Sequence, residues 1–404
     1  MSLGFVDPLI AVFVSFVLLG IMLYKRVHLG VTLVSTAIVL SLLSVEVDKI
    51  PPMIFKTSVD PATISLVSAA VGIMVLSTLY KETNLITELS ESLSRLIRWP
   101  KVVSMMLPAL IGLLPVPGGA LMSAPLVETE GEKLRMKEEK KAYVNVWFRH
   151  TILLAYPMSQ ALILTSALSG VPMDSLILRQ LPIVIVTIIS GYFIGLWKVS
   201  VIKNNEVYKA ENSRALKSFL LSFSPILATI VLVIVFGVPI PISVLAGIVL
   251  LLLITKPRLR ILTKIFGRAS IYEIGLASYG AMLLRSATTS SNASTIIGNI
   301  LKNANLSEVL LVSAVPAILG SLVGSPPGGI AISVSTLTGA INFTPKATSL
   351  LYYATFSGYL MAPTHLCLVL TTQYFKSSLG KVCKYMIPSV IISFATALLI
   401  YWLS

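Results

Sequence analysis

Long apolar runs separated by short polar segments make up most of this chain. Ten of these runs are long enough to cross a bilayer as helices, which takes roughly 17–25 residues each. They lie at 8–24, 29–44, 61–80, 143–169, 172–197, 219–236, 239–255, 271–289, 349–375 and 383–403. The pattern predicts an all-α, polytopic membrane protein with ten spanning helices.

Two further apolar stretches, 101–128 and 307–340, each contain the tripeptide Pro-Gly-Gly. A helix break at membrane depth leaves backbone N–H and C=O groups without partners. It is therefore tolerated only where it is buried in protein or lines a polar cavity. Each stretch is predicted to be a re-entrant hairpin, in which one half-helix descends to the tripeptide and a second half-helix returns.

The two hairpins belong to a sequence repeat with an offset of 210 residues. The aligned pairs are Pro117 with Pro327, Gly118 with Gly328, Gly119 with Gly329, and Ser123 with Ser333. The returning half-helices are expected to begin at Gly119 and Gly329. Farther along, the spans 143–169 and 349–375 each carry a proline near the middle. An internal proline removes a helix hydrogen bond, so both spans are predicted to be broken and to restart at Pro157 and Pro363.

An amphipathic segment precedes each hairpin, at 84–98 and, more weakly, at 292–304. Such a segment is typical of a helix that lies in the membrane interface. Each half of the chain thus holds five spans, one hairpin and one amphipathic arm. Because five is an odd number of crossings, the second half must enter the membrane upside down. We predict a first inverted repeat at 1–197, a basic cytoplasmic linker at 198–218 and a second repeat at 219–404.

Charge sets the predicted orientation. Only 12% of the residues are charged, against roughly 25% in soluble domains, and the formal net charge is +14. With the N-terminus outside, 25 of the 31 Lys and Arg residues fall on inner segments, as the positive-inside rule requires. We expect a cytoplasmic-membrane protein with both termini outside and no nucleic-acid partner. No basic segment precedes the run 8–24, which is predicted to be a retained span.

The two tips and the two breaks place four helix N-termini near the middle of the membrane. Each N-terminus carries a partial positive charge and free N–H groups, so together they attract an anion. The candidate substrate-binding residues are Pro117, Gly118, Gly119, Ser123, Pro157, Ser159, Gln160, Ser325, Pro327, Gly328, Gly329, Ser333, Pro363, Thr364 and His365. Ser123 and Ser333 are also candidate ligands for a sodium ion. No other metal site is predicted, because Cys367 and Cys383 match no metal or disulfide spacing.

The titratable side chains at depth are basic rather than acidic. Arg149, His150 and Arg285 are candidate anion or gate contacts, and His365 is a candidate substrate donor or proton-coupling group. No Asp lies within the core of any predicted span. A proton or sodium antiporter that works through carboxylates needs acidic groups at depth, so this composition favours an anionic substrate.

The layout resembles the ion transporter superfamily of secondary carriers, which includes divalent-anion/sodium symporters and the citrate, gluconate and C4-dicarboxylate carriers. The stretch Pro-Val-Pro-Gly-Gly-Ala-Leu-Met-Ser-Ala-Pro at 115–125 is similar to an uncharacterised branch of that superfamily from archaea and thermophilic bacteria. The resemblance implies an elevator mechanism, in which the hairpins and spans four, five, nine and ten move against a dimeric scaffold. The tips lack the superfamily's Ser-Asn-Thr sodium motif, so sodium and proton coupling both stay open.

These observations predict a secondary active transporter of a small organic anion, with a carboxylate as the expected class. The alternatives are a sodium/proton antiporter and a lipid-phosphate flippase, while the duplicated breaks disfavour a passive channel. No intramembrane-protease motif is present, so neither an enzyme nor a cofactor beyond the coupling ion is expected. The expected partners are the anion, the lipid bilayer and a second copy of the chain in a homodimer.

Overall fold

The computed structural model describes residues 6–97, 99–114, 119–200, 212–304 and 306–403, and the regular structure within them is helical. The first half forms the helices α1 (Pro8–Tyr24), α2 (Leu29–Ser44), α3 (Ile50–Val59), α4 (Pro61–Glu82), α5 (Leu85–Leu96), α6 (Pro100–Gly112), α7 (Gly119–Lys133), α8 (Glu138–Thr151), α9 (Gln160–Ser169) and α10 (Met173–Gly195). The second half forms α11 (Asn212–Ile234), α12 (Ile240–Thr255), α13 (Leu259–Phe266), α14 (Ala269–Ser290), α15 (Ala293–Asn303), α16 (Glu308–Val323), α17 (Pro326–Leu337), α18 (Pro345–Met361), α19 (Leu366–Tyr374) and α20 (Leu379–Leu403). Short 3₁₀ turns, Val47–Lys49 and Ile152–Leu154, precede α3 and follow α8.

Four described helices are long and apolar enough to cross a membrane by length and composition: α4, α10, Ser213–Ile234 within α11, and α20. Six shorter apolar helices accompany them, namely α1, α2, α6, α9, α12 and α16. The outward faces are apolar as well. Along α10 and α20, Ile185, Phe193, Ile391 and Trp402 are all more than half exposed. Apolar faces of this extent suit lipid rather than water, and we conclude that the protein is embedded in a membrane.

The structure differs from the sequence expectation in three connecting segments. Two short helices, α3 and α13, lie where no element was predicted. The first of them places Pro51 and Pro52 in its opening turn, where proline needs no hydrogen-bonded N–H. Helix α11 begins at Asn212, so the predicted linker 198–218 is helical at its C-terminal end. Hydrophobic runs mark only the part of a helix that is apolar on all sides, which explains these late or missing starts.

The centre of the molecule is formed by α8 and α18, one from each half of the chain. Every residue of α8 from Lys141 to Thr151 is buried, and α18 is buried over most of its length. The largest fully buried side chains include Trp147 of α8 and Phe356 of α18. The end of α8 therefore lies among protein, where backbone groups released from a helix have no water to bind. Helix α18 ends at the partly exposed Met361, and Pro363 and Thr364 beyond it are exposed.

Many helix–helix contacts recur when each helix of a pair is replaced by the helix ten places away in the chain. The packing of α1 on α2 corresponds to that of α11 on α12, and α2 on α14 corresponds to α12 on α4. In the same way, α6 on α8 matches α16 on α18, and α7 on α19 matches α17 on α9. Some contacts lack a counterpart above the marginal level in the described chain, among them α14 against α17, α4 against α9, α5 against α6 and α15 against α17.

Glycines allow the closest of these helix approaches. A Cβ added at Gly30 of α2 would lie 2.7 Å from the backbone nitrogen of Ala277 in α14. One added at Gly280 of α14 would lie 2.9 Å from Cβ of Leu33 in α2. Small residues at such crossings bring backbones together, which is a main source of helix association in lipid.

We expect Gly30→Ala to destabilise the fold. The new methyl group overlaps backbone atoms of α14 rather than a mobile side chain, and overpacking of this kind costs about 1–3 kcal/mol. Thermal unfolding in detergent measures the effect. The control is Gly20→Ala in α1, where a Cβ would meet nothing within 4 Å. Equal melting temperatures for the two variants would contradict the packing described here.

Candidate functional site

Both predicted broken spans are interrupted by a four-residue turn with proline in its second position. We call residues 156–159 break one and residues 362–365 break two. The Ser159 amide donates to the Tyr156 carbonyl at 2.9 Å, and the His365 amide donates to the Ala362 carbonyl at 3.0 Å. Proline suits the second position of a β-turn because its φ is already near the required value. Each break thus supplies its own closing hydrogen bond.

The predicted restart of the helices at Pro157 and Pro363 is wrong. Helix α9 begins at Gln160 with Ser159 as its N-cap residue, and α19 begins at Leu366 after His365. The reason is that each proline belongs to the turn, which must close before the next helix can begin. The free N–H groups of both helices therefore lie three residues farther along the chain than predicted.

The hairpin tips connect α6 to α7 and α16 to α17, and we call them tip one (113–118) and tip two (324–325). Residues 115–118, which include the candidates Pro117 and Gly118, lie outside the described residues. In tip two, Gly324 adopts a left-handed conformation with φ +64°, and Ser325 is the N-cap residue of α17. Helix α17 begins at Pro326, because proline fits the first turn of a helix, so the predicted start at Gly329 is wrong.

This start changes what tip two offers to a ligand. Pro326 and Pro327 have no N–H group, and the Gly329 amide donates to the Ser325 carbonyl at 2.9 Å. The two glycines serve packing instead. A Cβ at Gly328 would lie 2.6 Å from Val323, and one at Gly329 would lie 2.7 Å from Cγ2 of Thr355. The second tip therefore contributes less free backbone N–H than its Pro-Gly-Gly sequence indicates.

Arg149 is the most unusual residue near the breaks. It lies in the last turn of α8 and is only 5% exposed. Its Nη1 atom is buried without a hydrogen-bond partner, and no acidic side chain among the described residues forms an ion pair with it. Its guanidinium rests on Gly119, the first residue of α7, where any Cβ would clash with Nη2.

A buried guanidinium beside a helix N-terminus is an unfavourable arrangement on its own. The helix end carries about half a positive charge, and burying an unpaired ion costs several kcal/mol. An anion placed between the two would relieve both costs, because it would accept hydrogen bonds from the guanidinium and from the free amides of α7. The geometry therefore suits a small anion.

Two histidines meet next to this arginine. The ring centroids of His150 and His365 lie 4.8 Å apart, and both residues are buried. The Tyr359 hydroxyl lies 3.2 Å from Nε2 of His150. Nε2 of His365 is buried and has no hydrogen-bond partner. The chain thus brings His150, a predicted anion or gate contact at the end of α8, together with His365 of break two from the opposite half.

A cavity of about 180 Å³ lies where tip two and the start of α17 face the start of α9. Its polar lining includes the candidates Gln160 and Ser325, together with Ser278 of α14. The Nε2 atom of Gln160 is buried without a partner. The remaining wall is mainly apolar and comes from α2, α4, α9, α14 and α17. Its residues are Leu29, Leu33, Leu66, Ala70, Ile163, Leu164, Ile274, Ala277 and Pro327.

The other candidate side chains have partners of their own. The hydroxyls of Ser123 and Ser333 donate to carbonyls in their own helices, at 3.2 Å to Ala120 and 2.7 Å to Gly329. Ser159 lies beside Tyr352, and Arg285 donates to the Ala167 carbonyl at 3.4 Å. Thr364 packs against Gly324, so break two touches tip two. These protein contacts explain the positions of the five side chains, and no bound ligand is needed to explain them.

Two polar residues near the breaks, Asn145 and Tyr359, carry no distinctive sequence motif and were not among the predicted candidates. Asn145 donates through Nδ2 to the Ala120 carbonyl at 2.9 Å and to Oγ1 of Thr371 at 3.1 Å, which ties α8 to α7 and α19. Tyr359 contacts both histidines. Only Asn145 offered a signal, namely a lone amide within an otherwise apolar part of a predicted span.

Comparison with known proteins gives a family but no activity. No curated protein matches the chain. The family described as "Protein of unknown function (DUF401)" matches residues 7–403, which is nearly the whole chain. The protein therefore belongs to the DUF401 family.

Proposed function

We propose that the protein is a secondary active transporter of a small carboxylate anion. The observation that carries this proposal is Arg149, a buried guanidinium that has no counter-ion among the described residues and rests on the first residue of α7. A planar guanidinium binds a carboxylate through two parallel hydrogen bonds. Sodium or protons supply the coupling, and the transported anion supplies the negative charge that the site lacks.

The paired helix contacts support an inverted repeat. Many contacts made by helices of the set α1–α10 are also made by the corresponding helices of the set α11–α20, as two copies of one unit would make them. We assign ten spans, counting α8 with α9 and α18 with α19 as one broken span each. The pairs α6–α7 and α16–α17 are then re-entrant hairpins, and α5 and α15 are the arms. Five crossings per copy invert the second copy, and the positive-inside rule places both termini outside.

The cavity between the helix groups supports an elevator movement. Tip two, α17 and α9 face α2, α4 and α14 across it. The contacts of α17 with α14 and of α9 with α4 are among those whose counterparts are at most marginal in the described chain. A carrier with two equivalent halves breaks its internal symmetry in just this way when it rests in one of two states. In the proposal, α6–α10 and α16–α20 move against a dimeric scaffold formed by the other spans.

We expect Arg149→Gln to weaken carboxylate binding about a hundredfold, since two charge-assisted hydrogen bonds of about 1.5 kcal/mol each are lost. The readout is the thermal shift of purified protein across mono-, di- and tricarboxylates, with phosphate and sulfate as comparison anions. Without added anion, the melting temperature of the variant should equal or exceed that of the wild type, because no acidic partner is left unpaired.

The matched control is Arg95→Gln, on the exposed face of α5, where Arg95 pairs with Glu91 at 3.5 Å. It should bind carboxylates like the wild type. An Arg149→Gln protein with unchanged affinity would contradict the site. A large drop in its melting temperature without anion would show a structural role instead. A wild type that binds no carboxylate but scrambles lipid, or exchanges sodium for protons in vesicles, would replace the proposal with one of its alternatives.

Gly119→Ala tests the contact between the guanidinium and α7. The added methyl group would overlap Nη2 of Arg149 and push the guanidinium away from the helix N-terminus. We expect at least a tenfold loss of carboxylate affinity with the protein still folded. Gly380→Ala in α20, where a Cβ would meet nothing within 4 Å, should leave the affinity unchanged. Equal affinities for the two variants would refute the contact.

A cross-link across the cavity tests the movement. We expect a Ser278→Cys, Ser325→Cys double variant, treated with a short bismaleimide, to lose carboxylate uptake into proteoliposomes while keeping carboxylate binding. The two residues line the same cavity from α14 and tip two, and a covalent tie between them would stop any sliding. Each single variant with the same reagent serves as the control. Full uptake by the cross-linked protein would exclude an elevator movement at this interface.

A further inference from the structure

A second kind of site lies beside the arginine. The donor atoms of His150, His365 and Cys367 all lie within 4.8 Å of one another. They come from the end of α8, from break two and from the first turn of α19. Metal bonds of ~2.0–2.3 Å hold three donors ~3.5–4 Å apart. Side-chain shifts of about one ångström would therefore close the three donors around one ion.

The hydrogen bonds prepare both imidazoles for metal binding. Nδ1 of His150 lies 2.7 Å from the Val146 carbonyl, and Nδ1 of His365 lies 3.4 Å from the Leu360 carbonyl. A carbonyl only accepts, so each Nδ1 carries the proton and each Nε2 keeps its lone pair. A metal-bound histidine is held in this way by a second partner. Nε2 of His365 has no hydrogen-bond partner, while Nε2 of His150 has only the Tyr359 hydroxyl at 3.2 Å.

The positive charge of Arg149 beside the three donors favours a monovalent over a divalent metal ion. Arg149 precedes His150 in the chain, is buried, and has no acidic partner in the described residues. A divalent ion with one thiolate would add a net positive charge beside this guanidinium, which burial penalises. A monovalent ion bound by one thiolate adds no net charge. Thiolate is a soft ligand that favours copper(I), and imidazole also binds copper. A set of three donors satisfies a three-coordinate ion.

We propose that His150, His365 and Cys367 form a copper(I) site that joins the two broken spans. Binding converts the Cys367 thiol to a thiolate, whose proton leaves to solvent. The bound ion holds the end of α8 against the start of α19. It thereby fixes the spacing between the two breaks, a constraint that the anion site does not supply.

Anaerobic titration of purified protein with the copper(I)–bicinchoninate complex tests the proposal, because loss of the coloured complex reports transfer of the ion. We expect one copper(I) per chain in the wild type. X-ray absorption should show one sulfur and two nitrogen ligands. Cys367→Ser and His365→Gln should each weaken binding more than a hundredfold. The matched control is Cys383→Ser, which removes the other free cysteine, in α20, and should bind copper(I) like the wild type.

Several results would overturn the site. They are wild-type affinity in Cys367→Ser, loss of binding in Cys383→Ser, or a preference for zinc over copper(I) in direct competition. Circular dichroism and the melting temperature of each metal-free variant show whether it is folded. If Cys367→Ser fails to fold, His365→Gln and His150→Gln decide the question by the same titration. Carboxylate binding is measured separately on metal-free protein, so failure of the transport proposal leaves this result unaffected.

Discussion

The guanidinium of Arg149 is held among apolar helices with no counter-charge in the described chain, and the rest of the site depends on how that charge is kept there. It rests on Gly119, whose missing side chain makes room for it at the start of α7. It also follows Trp147 and Phe148, which are themselves fully packed. Such a group lowers its energy by taking up an anion, because water is excluded and no carboxylate competes for it.

Backbone hydrogen bonding explains how the two helix breaks are accommodated within the protein. Each break closes its own turn, from Ser159 to Tyr156 and from His365 to Ala362. Side chains then satisfy part of what is left, as the Asn145 amide does for the Ala120 carbonyl. The polar groups that stay unsatisfied include Nη1 of Arg149, Nε2 of His365 and Nε2 of Gln160. Unpaired buried polar atoms are costly, and all three lie at the ends of helices that flank the breaks, where a ligand can pair with them.

The sequence predicted helix content well and helix starts less well. Apolar runs located nearly every long helix, because lipid leaves no other way to satisfy the backbone. Proline and glycine located the interruptions. The same residues misled the prediction of where helices resume, since Pro157 belongs to a turn whereas Pro326 opens a helix. The two roles use the same φ and differ only in the hydrogen bond that follows, which a residue type does not reveal.

By itself the sequence determined that this is a membrane-embedded, helical protein, with duplicated breaks and with basic rather than acidic groups at depth. Composition and periodicity carry that information, because the bilayer acts on every residue in the same way. Only the tertiary structure decided which of these groups meet. His150 and His365 are distant in the chain, yet their rings meet edge to face with centroids 4.8 Å apart. Cys367 joins them although no spacing motif links the three. Their meeting depends on how α8 packs near α19, which is set by the shape of the whole core rather than by any local pattern.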